Sequence, residues 1–251
     1  MSGSMSFSES IPGPGGAVSL LQTRFLIPIA AAFAFLGLAL FIVSGRSFAF
    51  DRSLVLLFRE SGDLSVPLGP AWFREAMRDV TALGSFVGLG LMTIAASLTL
   101  WLCRHRPLAL GLVLTVVSAT LVSTGLKILI GRDRPDIVEH AALTFTASFP
   151  SGHAFLSAAT LLSIAGFVGL AARRDDITRL CIWLAWAMIV TIGISRVYLG
   201  VHWPTDVIGG WCLGIAWSGV AVALLGRKMA QAEALEPGSA GRSGGQPTPA
   251  G

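Results

Sequence analysis

Two histidines and a carboxylate stand in a pattern that serves nucleophilic catalysis. His202 and Asp206 are four residues apart around a helix start, and Pro204 suits the first turn of that helix. A carboxylate at this spacing can accept the Nδ1 proton of the imidazole, which leaves Nε2 free to attack. His153 comes from a distant part of the chain and can give a proton to a leaving oxygen. The pattern predicts a nitrogen nucleophile, its orienting partner and an acid.

Three cations accompany these residues. Lys127 and Arg134 are seven residues apart, or two helical turns, so we expect both on one face of a helix that Pro135 ends. Arg196 is the third cation. A tetrahedral oxyanion is their natural partner, because arginine offers planar paired donors and lysine a point charge.

A small turn precedes the helix that carries His153. Ser151 and Gly152 stand just before an apolar run, where backbone N–H groups at the positive end of a helix dipole bind phosphate well. Gly152 allows the backbone to approach a ligand closely. An ordinary serine N-cap is the alternative interpretation of Ser151.

The composition shows which elements must position these groups. The chain has 251 residues, of which 53% are hydrophobic and only 13% charged, and its mean hydropathy is +0.73. These values exclude a soluble enzyme, a disordered chain and a disulfide scaffold, and indicate a polytopic membrane protein. The three cysteines have no CxxC spacing, and the arginines that dominate the net charge of +4 lie mostly in loops. We therefore expect no zinc site and no nucleic-acid partner.

Six apolar runs are long enough to cross a bilayer, and together they predict an all-α bundle. The predicted spans are residues 25–44, 84–102, 108–126, 154–172, 180–198 and 207–226. Residues 45–83 are expected to form amphipathic helices at the membrane interface. The predicted membrane domain covers residues 25–228, between flexible tails at 1–24 and 229–251. The first span is expected to remain uncleaved, because it is too long for a signal peptide.

The short loops indicate the orientation. Residues 103–107 and 173–179 are rich in arginine, and basic short loops remain in the cytoplasm. We expect both termini inside and the polar constellation at the outer face. The abundance of Arg over Lys, with many Ala and Gly residues, is typical of a GC-rich bacterial genome, so the predicted location is the bacterial cytoplasmic membrane.

The constellation resembles the signature of the type-2 phosphatidic acid phosphatase family, which is related to the vanadium-dependent haloperoxidases. Residues 127–135 match KxxxxxxRP, residues 150–153 match PSGH, and residues 195–206 match SRxxxxxHxxxD. All three motifs occur in the family's order, and every signature position is matched. Three spaced motifs together are far more specific than any one of them.

The resemblance implies a role for each signature residue. His202 would become a phosphohistidine, Asp206 would orient it, and His153 would protonate the leaving group. The implied phosphate ligands are Lys127, Arg134, Ser151, Gly152 and Arg196. No metal and no cofactor are implied, and three clustered cations would repel a divalent ion.

The implied function is that of an integral-membrane lipid phosphatase for phosphomonoesters or diphosphates. Its partners would be the membrane and a phospholipid or isoprenoid-phosphate substrate, of which undecaprenyl diphosphate is the first choice. Phosphatidylglycerophosphate and phosphatidate are alternatives, because the motifs recognise the phosphate and not the tail. A phosphotransferase could use the same site.

Three other interpretations use the same residues. One is an oxidant with bound vanadate, which a site embedded in lipid disfavours. Another is a lipid-binding or transport protein without catalysis, which the intact catalytic set disfavours. The last is an iron site made of His153, His202 and Asp206, which the neighbouring cations disfavour.

Two further groups are expected to play minor parts. Residues 79–85 resemble a stretch found in bacterial members of the family, and helix capping by Asp79 or Thr81 is the preferred explanation. The charged residues of the outer loop are expected to be solvated; they are Arg132, Asp133, Asp136 and His140.

Overall fold

The chain folds into a bundle of long helices with a small hairpin at one end. The computed structural model describes residues 14–46, 48–138 and 146–235. Its elements are α1 (Pro14–Val43), α2 (Ala49–Leu57), β1 (Arg59–Glu60), β2 (Asp63–Pro67), α3 (Ala71–Leu83), α4 (Phe86–Leu102), α5 (Arg106–Ile130), α6 (Gly152–Ala172), α7 (Asp175–Tyr198) and α8 (Pro204–Ala234). The predicted all-α class is confirmed.

The long helices have the dimensions of membrane spans. Five of them are long and apolar enough to cross a bilayer: α1, α5, α6, α7 and α8. α4 has 17 residues and follows α3 across a bend of 50°, and this pair, counted as one bent span, brings the number to six. The protein is therefore a multi-pass membrane protein, as its composition predicts.

α6 forms the centre of the bundle, because it packs against α4, α5, α7 and α8. Small residues bring α8 especially close to it. A Cβ added to Gly210 would lie 2.8 Å from the Cβ of Ala154, and one added to Gly214 would lie 2.4 Å from the Cβ of Ala158. Small residues four apart let two membrane helices approach closely. This contact places the first turn of α8 beside the first turn of α6.

The segment before α4 combines two short helices with a hairpin. α2 and α3 agree with the predicted amphipathic helices, but the antiparallel pair β1–β2 between them is not predicted. Asp63 accepts hydrogen bonds from the backbone N–H and the hydroxyl of Ser65, which fix the start of β2. Arg59 donates to the carbonyl of Tyr198, at the end of α7, over 2.7 Å. We call residues 48–85 the interfacial segment.

Several helices are longer than the predicted spans. α1 begins at Pro14, within the predicted tail, because proline suits the first turn of a helix. α8 continues to Ala234, since residues 229–234 are mostly good helix formers. Residues 1–13 and 236–251 of the predicted tails lie outside the described residues.

Candidate active site

Four helix ends meet where α5 and α7 finish and where α6 and α8 begin, and we call this the site end of the bundle. The backbone N–H of Ser151 donates to the carbonyl of Asp206 over 3.0 Å, so the starts of α6 and α8 are directly joined. The residues predicted to form the site all lie at this end: Lys127, Arg134, Ser151, Gly152, His153, Arg196, His202 and Asp206.

His202 lies in the connection between α7 and α8, and only 2% of its surface is exposed. Its Nε2 is 3.4 Å from Nη1 of Arg134. Its Nδ1 is 3.4 Å from Oδ2 of Asp206 and 3.3 Å from the hydroxyl oxygen of Ser148. One ring nitrogen therefore faces a cation, and the other faces a carboxylate and a hydroxyl.

The surroundings keep this imidazole neutral. Burial holds the pKa of His202 well below its ordinary value of 6.5, and the charges of Arg196, Arg134 and Lys127 lower it further. A hydrogen bond with the backbone of Ser148 opposes these effects only in part. Because Nδ1 faces the carboxylate of Asp206, we assign the single proton to Nδ1, and Nε2 then presents its lone pair to the cations.

Asp206 is fully buried in the first turn of α8, where the helix dipole stabilises a negative charge. Its Oδ2 accepts hydrogen bonds from the hydroxyl of Ser148 and, over 2.9 Å, from the backbone N–H of Trp203. Its Oδ1 accepts a bond of 2.5 Å from Nη1 of Arg132. This carboxylate is thus held on both oxygens.

Lys127, in the last turn of α5, and Arg134, in the chain that follows α5, flank the site. Nζ of Lys127 donates to the carbonyl of Ala147 over 2.6 Å. Nη1 of Arg134 donates to the carbonyl of Val201, directly before His202, over 2.6 Å. Bonds to fixed backbone oxygens hold both cations in place.

Arg196 lies in the last turn of α7 and is 5% exposed. Its Nη1 donates to the hydroxyl oxygen of Thr81 over 2.9 Å. Its Nε is buried and has no hydrogen-bond partner among the residues that the structure describes. A buried N–H without a partner costs free energy, and an anionic ligand would supply the missing acceptor.

The start of α6 offers a second open group. Ser151 occupies the N-cap position, but its hydroxyl makes no capping bond, and it is buried without a partner in the described part of the chain. A Cβ on Gly152 would lie 3.6 Å from Cε of Lys127, so the lysine passes close to this helix end. A Cβ on Gly84, in the turn between α3 and α4, would lie 3.3 Å from Cδ2 of His153.

Both imidazoles belong to one site. His153 lies in the first turn of α6 and His202 lies just before α8, and the starts of these two helices are joined by the bond from Ser151 to Asp206. The arrangement can hold a tetrahedral oxyanion between three cations and can attack it with the neutral Nε2 of His202.

Comparison with known proteins identifies the family. The sequence model of the PAP2 superfamily matches residues 108–230. Phosphatidylglycerophosphatase B of Bacillus subtilis (strain 168) is 36% identical over 151 residues, which are 57% of this chain and 71% of that protein. The chain belongs to the PAP2 superfamily.

Other PAP2 proteins extend the comparison. An undecaprenyl-diphosphatase of Sulfolobus acidocaldarius is 33% identical over 117 residues, which are 44% of this chain and 52% of that protein. A crystal structure described as the first transmembrane PAP2 type phosphatidylglycerolphosphate phosphatase, from Bacillus subtilis, superposes with a TM-score of 0.67 at 27% identity. That match covers 82% of this chain and 96% of the other. The protein is therefore a transmembrane PAP2 phosphatase.

The structure corrects one sequence-based expectation about the cations. Lys127 and Arg134 do not share a helix face, because α5 ends at Ile130 and Gly131 follows in the left-handed conformation, with φ of 63°. Such a glycine ends helices readily, since it has no Cβ. Arg134 lies in the irregular chain beyond this stop, and its guanidinium returns to His202.

Arg132 is the main residue of the candidate site that the sequence does not predict. It was expected in solvent, but its side chain is only 12% exposed and forms ion pairs with Asp206 and with Asp51 of α2. Its spacing of two residues from Arg134, directly after the glycine that ends α5, is the one signal that could have drawn attention to it. Of the other loop residues, His140 lies outside the described residues.

Residues 79–85 also differ from the expectation that Asp79 or Thr81 caps a helix. Thr81 accepts the hydrogen bond from Arg196, and Asp79 is exposed at the surface. The capping residue is Ser85, whose hydroxyl accepts from the backbone N–H of Gly88 at the start of α4. This stretch therefore joins the interfacial segment to the candidate site.

The described residues contain no cluster of side chains suited to bind a metal ion. No group of three or more His, Cys, Asp or Glu side chains is arranged to hold a metal ion there. The alternative iron site of His153, His202 and Asp206 therefore has no structural counterpart.

Proposed function

We propose that this protein hydrolyses lipid phosphomonoesters or diphosphates through a phosphohistidine on His202. The observation that carries the proposal is the setting of the His202 ring. Nδ1 faces Asp206 and Ser148, while Nε2 faces Arg134 among three cations. The proposed phosphatase unit is residues 25–228.

Binding of the phosphate uses the groups that the protein leaves open. The unpartnered Nε of Arg196 and hydroxyl of Ser151 become donors to phosphate oxygens, and Lys127 and Arg134 balance its charge. The proposed reaction needs no metal, because three fixed cations already stabilise the charge that a metal would stabilise and would repel a divalent ion.

The first chemical step breaks the bond between phosphorus and the leaving oxygen. The lone pair on Nε2 of His202 forms the N–P bond, and the P–O bond breaks with its electrons on oxygen. A protonated His153 gives its proton to that oxygen. The dianionic phosphate offsets the nearby cations and so allows His153 to carry a proton. Asp206 stabilises the imidazolium of the intermediate.

The second step restores the enzyme. His153, now neutral, takes a proton from a water molecule, and the water oxygen attacks phosphorus. The N–P bond breaks, its electrons return to Nε2, and inorganic phosphate leaves. An alcohol in place of water would give a phosphotransferase, so alcohol-derived phosphoesters among the products would reveal that alternative.

An apolar groove offers a place for the lipid tail. It lies between α4 and α5 and encloses about 430 Å³. The lining of the groove begins at Phe86, two residues after Gly84, which lies beside His153. The lining also includes Leu156, which is about one helical turn after His153 in α6. A tail in this groove would leave the phosphate at the site end.

Undecaprenyl diphosphate is the first substrate that we propose, with phosphatidylglycerophosphate and phosphatidate as alternatives. The similarity to an undecaprenyl-diphosphatase and to a phosphatidylglycerophosphatase supports the first two of these. All of these lipids present a terminal phosphate on an apolar tail, so the described cations do not favour one of them.

The proposed orientation places the site on the outer face of the bacterial cytoplasmic membrane. The connections α4–α5 and α6–α7 lie at the opposite end of the bundle and expose Arg104, Arg106, Arg173 and Arg174. Short basic loops of this kind support a cytoplasmic location for that end.

Phosphate release by detergent-purified protein tests the proposal. The panel contains undecaprenyl diphosphate, phosphatidylglycerophosphate and phosphatidate, each with and without EDTA or vanadate. We expect release that persists in EDTA, stops with vanadate and disappears in His202→Ala. His105→Ala, at the opposite end of the bundle, is the matched control and should retain wild-type activity. Release by His202→Ala at the wild-type rate would contradict the proposal, and lipid binding without release would favour a transport protein.

A further inference from the structure

A buried ion pair lies behind the carboxylate of Asp206. Asp51, in α2, is 2% exposed. Nη2 of Arg132 donates to Oδ2 of Asp51 over 2.9 Å, and Nη1 donates to Oδ1 of Asp206 over 2.5 Å. One guanidinium thus joins two carboxylates that are 155 positions apart in the sequence.

The same pair holds the first turn of α8. Asp51 accepts hydrogen bonds from the backbone N–H of Thr205 over 2.9 Å and from its hydroxyl over 2.6 Å. The hydroxyl of Thr205 also lies 2.7 Å from Nη1 of Arg132. Asp51 therefore caps α8 from another helix, directly beside the turn that contains Asp206.

In this arrangement, the two oxygens of Asp206 have different partners. Oδ1 is occupied by Arg132, whereas Oδ2 is the oxygen 3.4 Å from Nδ1 of His202. Because Asp51 holds Nη2 of the planar guanidinium, Nη1 has a fixed position from which it donates to Oδ1 of Asp206. Together with the hydrogen bonds from Ser148 and Trp203 to Oδ2, this bond from Arg132 keeps the carboxylate from rotating away from the imidazole.

The charges of the network also match the proposed reaction. Asp51, Arg132 and Asp206 carry one net negative charge while His202 is neutral. The imidazolium of a phosphohistidine adds one positive charge. Asp51, Arg132, Asp206 and His202 together then have no net charge in the intermediate, which stabilises it. Without Asp51, the same step would leave one uncompensated positive charge.

We propose that Arg132 and Asp51 are positioning residues that hold Asp206 in line with His202, a role that rests on the function proposed above. They act through Asp206 and not on the phosphate. Their loss should therefore lower kcat and leave KM almost unchanged. A merely structural anchor between α2 and α8 would not produce this split in a folded variant.

The test compares Arg132→Met, Asp51→Asn and the double variant with wild type. The double variant removes one positive and one negative charge, so the buried network keeps its net charge of −1, which Asp206 then carries alone. Arg174→Met, which breaks an exposed ion pair with Asp176 at the opposite end, is the matched control and should behave as wild type. Size-exclusion profiles and melting temperatures report folding, and rapid quenching reports the rate of phosphoenzyme formation.

We expect the folded double variant to lose roughly 10- to 100-fold in kcat, with KM within about twofold of wild type, because a small misplacement of a reacting group has effects of this size. Phosphoenzyme formation should slow by the same factor. Arg132→Lys should retain part of the rate, because an ammonium can pair with one carboxylate but cannot fork between two.

The outcomes separate this inference from the function on which it rests. A folded double variant with wild-type kcat, or with a raised KM and unchanged kcat, overturns the inference alone. Failure of the wild-type protein to release phosphate from any lipid of the panel overturns the proposed function and this inference together.

Discussion

The two regions that form the site end treat their polar groups in opposite ways. The signature segments, residues 127–135, 150–153 and 195–206, leave buried donors open, as in Nε of Arg196 and the hydroxyl of Ser151. The interfacial segment also leaves Nε and Nη2 of Arg59 without partners in the described residues, but its two groups beside the site, Asp51 and Thr81, already have partners. Both oxygens of Asp51 accept hydrogen bonds, and Thr81 accepts one from Arg196.

This difference separates polar groups that are free to bind a ligand from polar groups that hold the ligand-binding side chains in place. An unpartnered buried donor is costly, and it persists where a ligand supplies the acceptor. A fully paired group gains nothing from a ligand, but it fixes the geometry of its neighbour. The comparison predicts large losses of activity from changes in the signature segments and smaller losses from the interfacial segment.

The largest expected effect in this comparison comes from Arg196. Arg196→Gln removes a cation that we propose binds the phosphate, and loss of one such donor typically costs about 10²- to 10³-fold in rate. We expect a loss of this size in kcat/KM for phosphate release. Arg196→Lys should recover only part of it, because a point charge cannot form the same paired contacts. Equal activity in Arg196→Gln and wild type would remove the distinction between the two regions.

A smaller effect is expected from Thr81, which holds Arg196 from the interfacial segment. Thr81→Val keeps the shape but removes the acceptor of the 2.9 Å bond. One hydrogen bond to a charged group contributes about 1.5–3 kcal/mol, so we expect roughly a 10- to 100-fold loss in kcat/KM, below that of Arg196→Gln. Thr81→Ser retains the hydroxyl and serves as the control. A loss in Thr81→Val larger than that in Arg196→Gln would reverse the proposed order.

The smallest expected effect concerns stability and not activity. Because the pKa of His202 is well below 6.5 in the folded protein and ordinary in the unfolded chain, its contribution is fully present above about pH 6.5. As the pH falls below that value, the unfolded chain takes up a proton that the folded protein refuses. The free energy of unfolding then decreases, by at most about 1.4 kcal/mol per pH unit from this group.

His202→Gln removes this term. Melting temperatures in detergent, measured from about pH 7.5 to about pH 5.5, should therefore decrease less in His202→Gln than in wild type. Identical pH dependence in the two proteins would show that the imidazole is not buried in its neutral form.

The sequence predicts the parts of this molecule that follow from local patterns. Apolar runs of sufficient length give the long helices, and the three ordered motifs select the residues that meet at the site end. The prediction that Lys127 and Arg134 share a helix face is wrong, because the glycine after Ile130 ends α5. The hairpin was missed because its strands, at two and five residues, are too short to show a period.

The supporting residues could not be predicted for a different reason. Asp51 meets a partner 154 residues later in the chain, and Thr81 meets one 115 residues later. Each is an ordinary polar residue in an amphipathic helix, and nothing in its local sequence distinguishes it from a solvated one. Only the packing of α2 and α3 against the site end gives these residues their partners.

The central claim is that His202 carries the phosphate during turnover, and direct detection of that bond tests it most sharply. Purified protein is mixed with a lipid phosphate from which it releases phosphate, quenched under alkaline conditions that preserve phosphohistidine, and digested for mass spectrometry. The account predicts a phosphate on the peptide that contains His202, formed at least as fast as product and absent in His202→Ala. Turnover with phosphate on another residue, or with no phosphoenzyme at any time during rapid quenching, would contradict it.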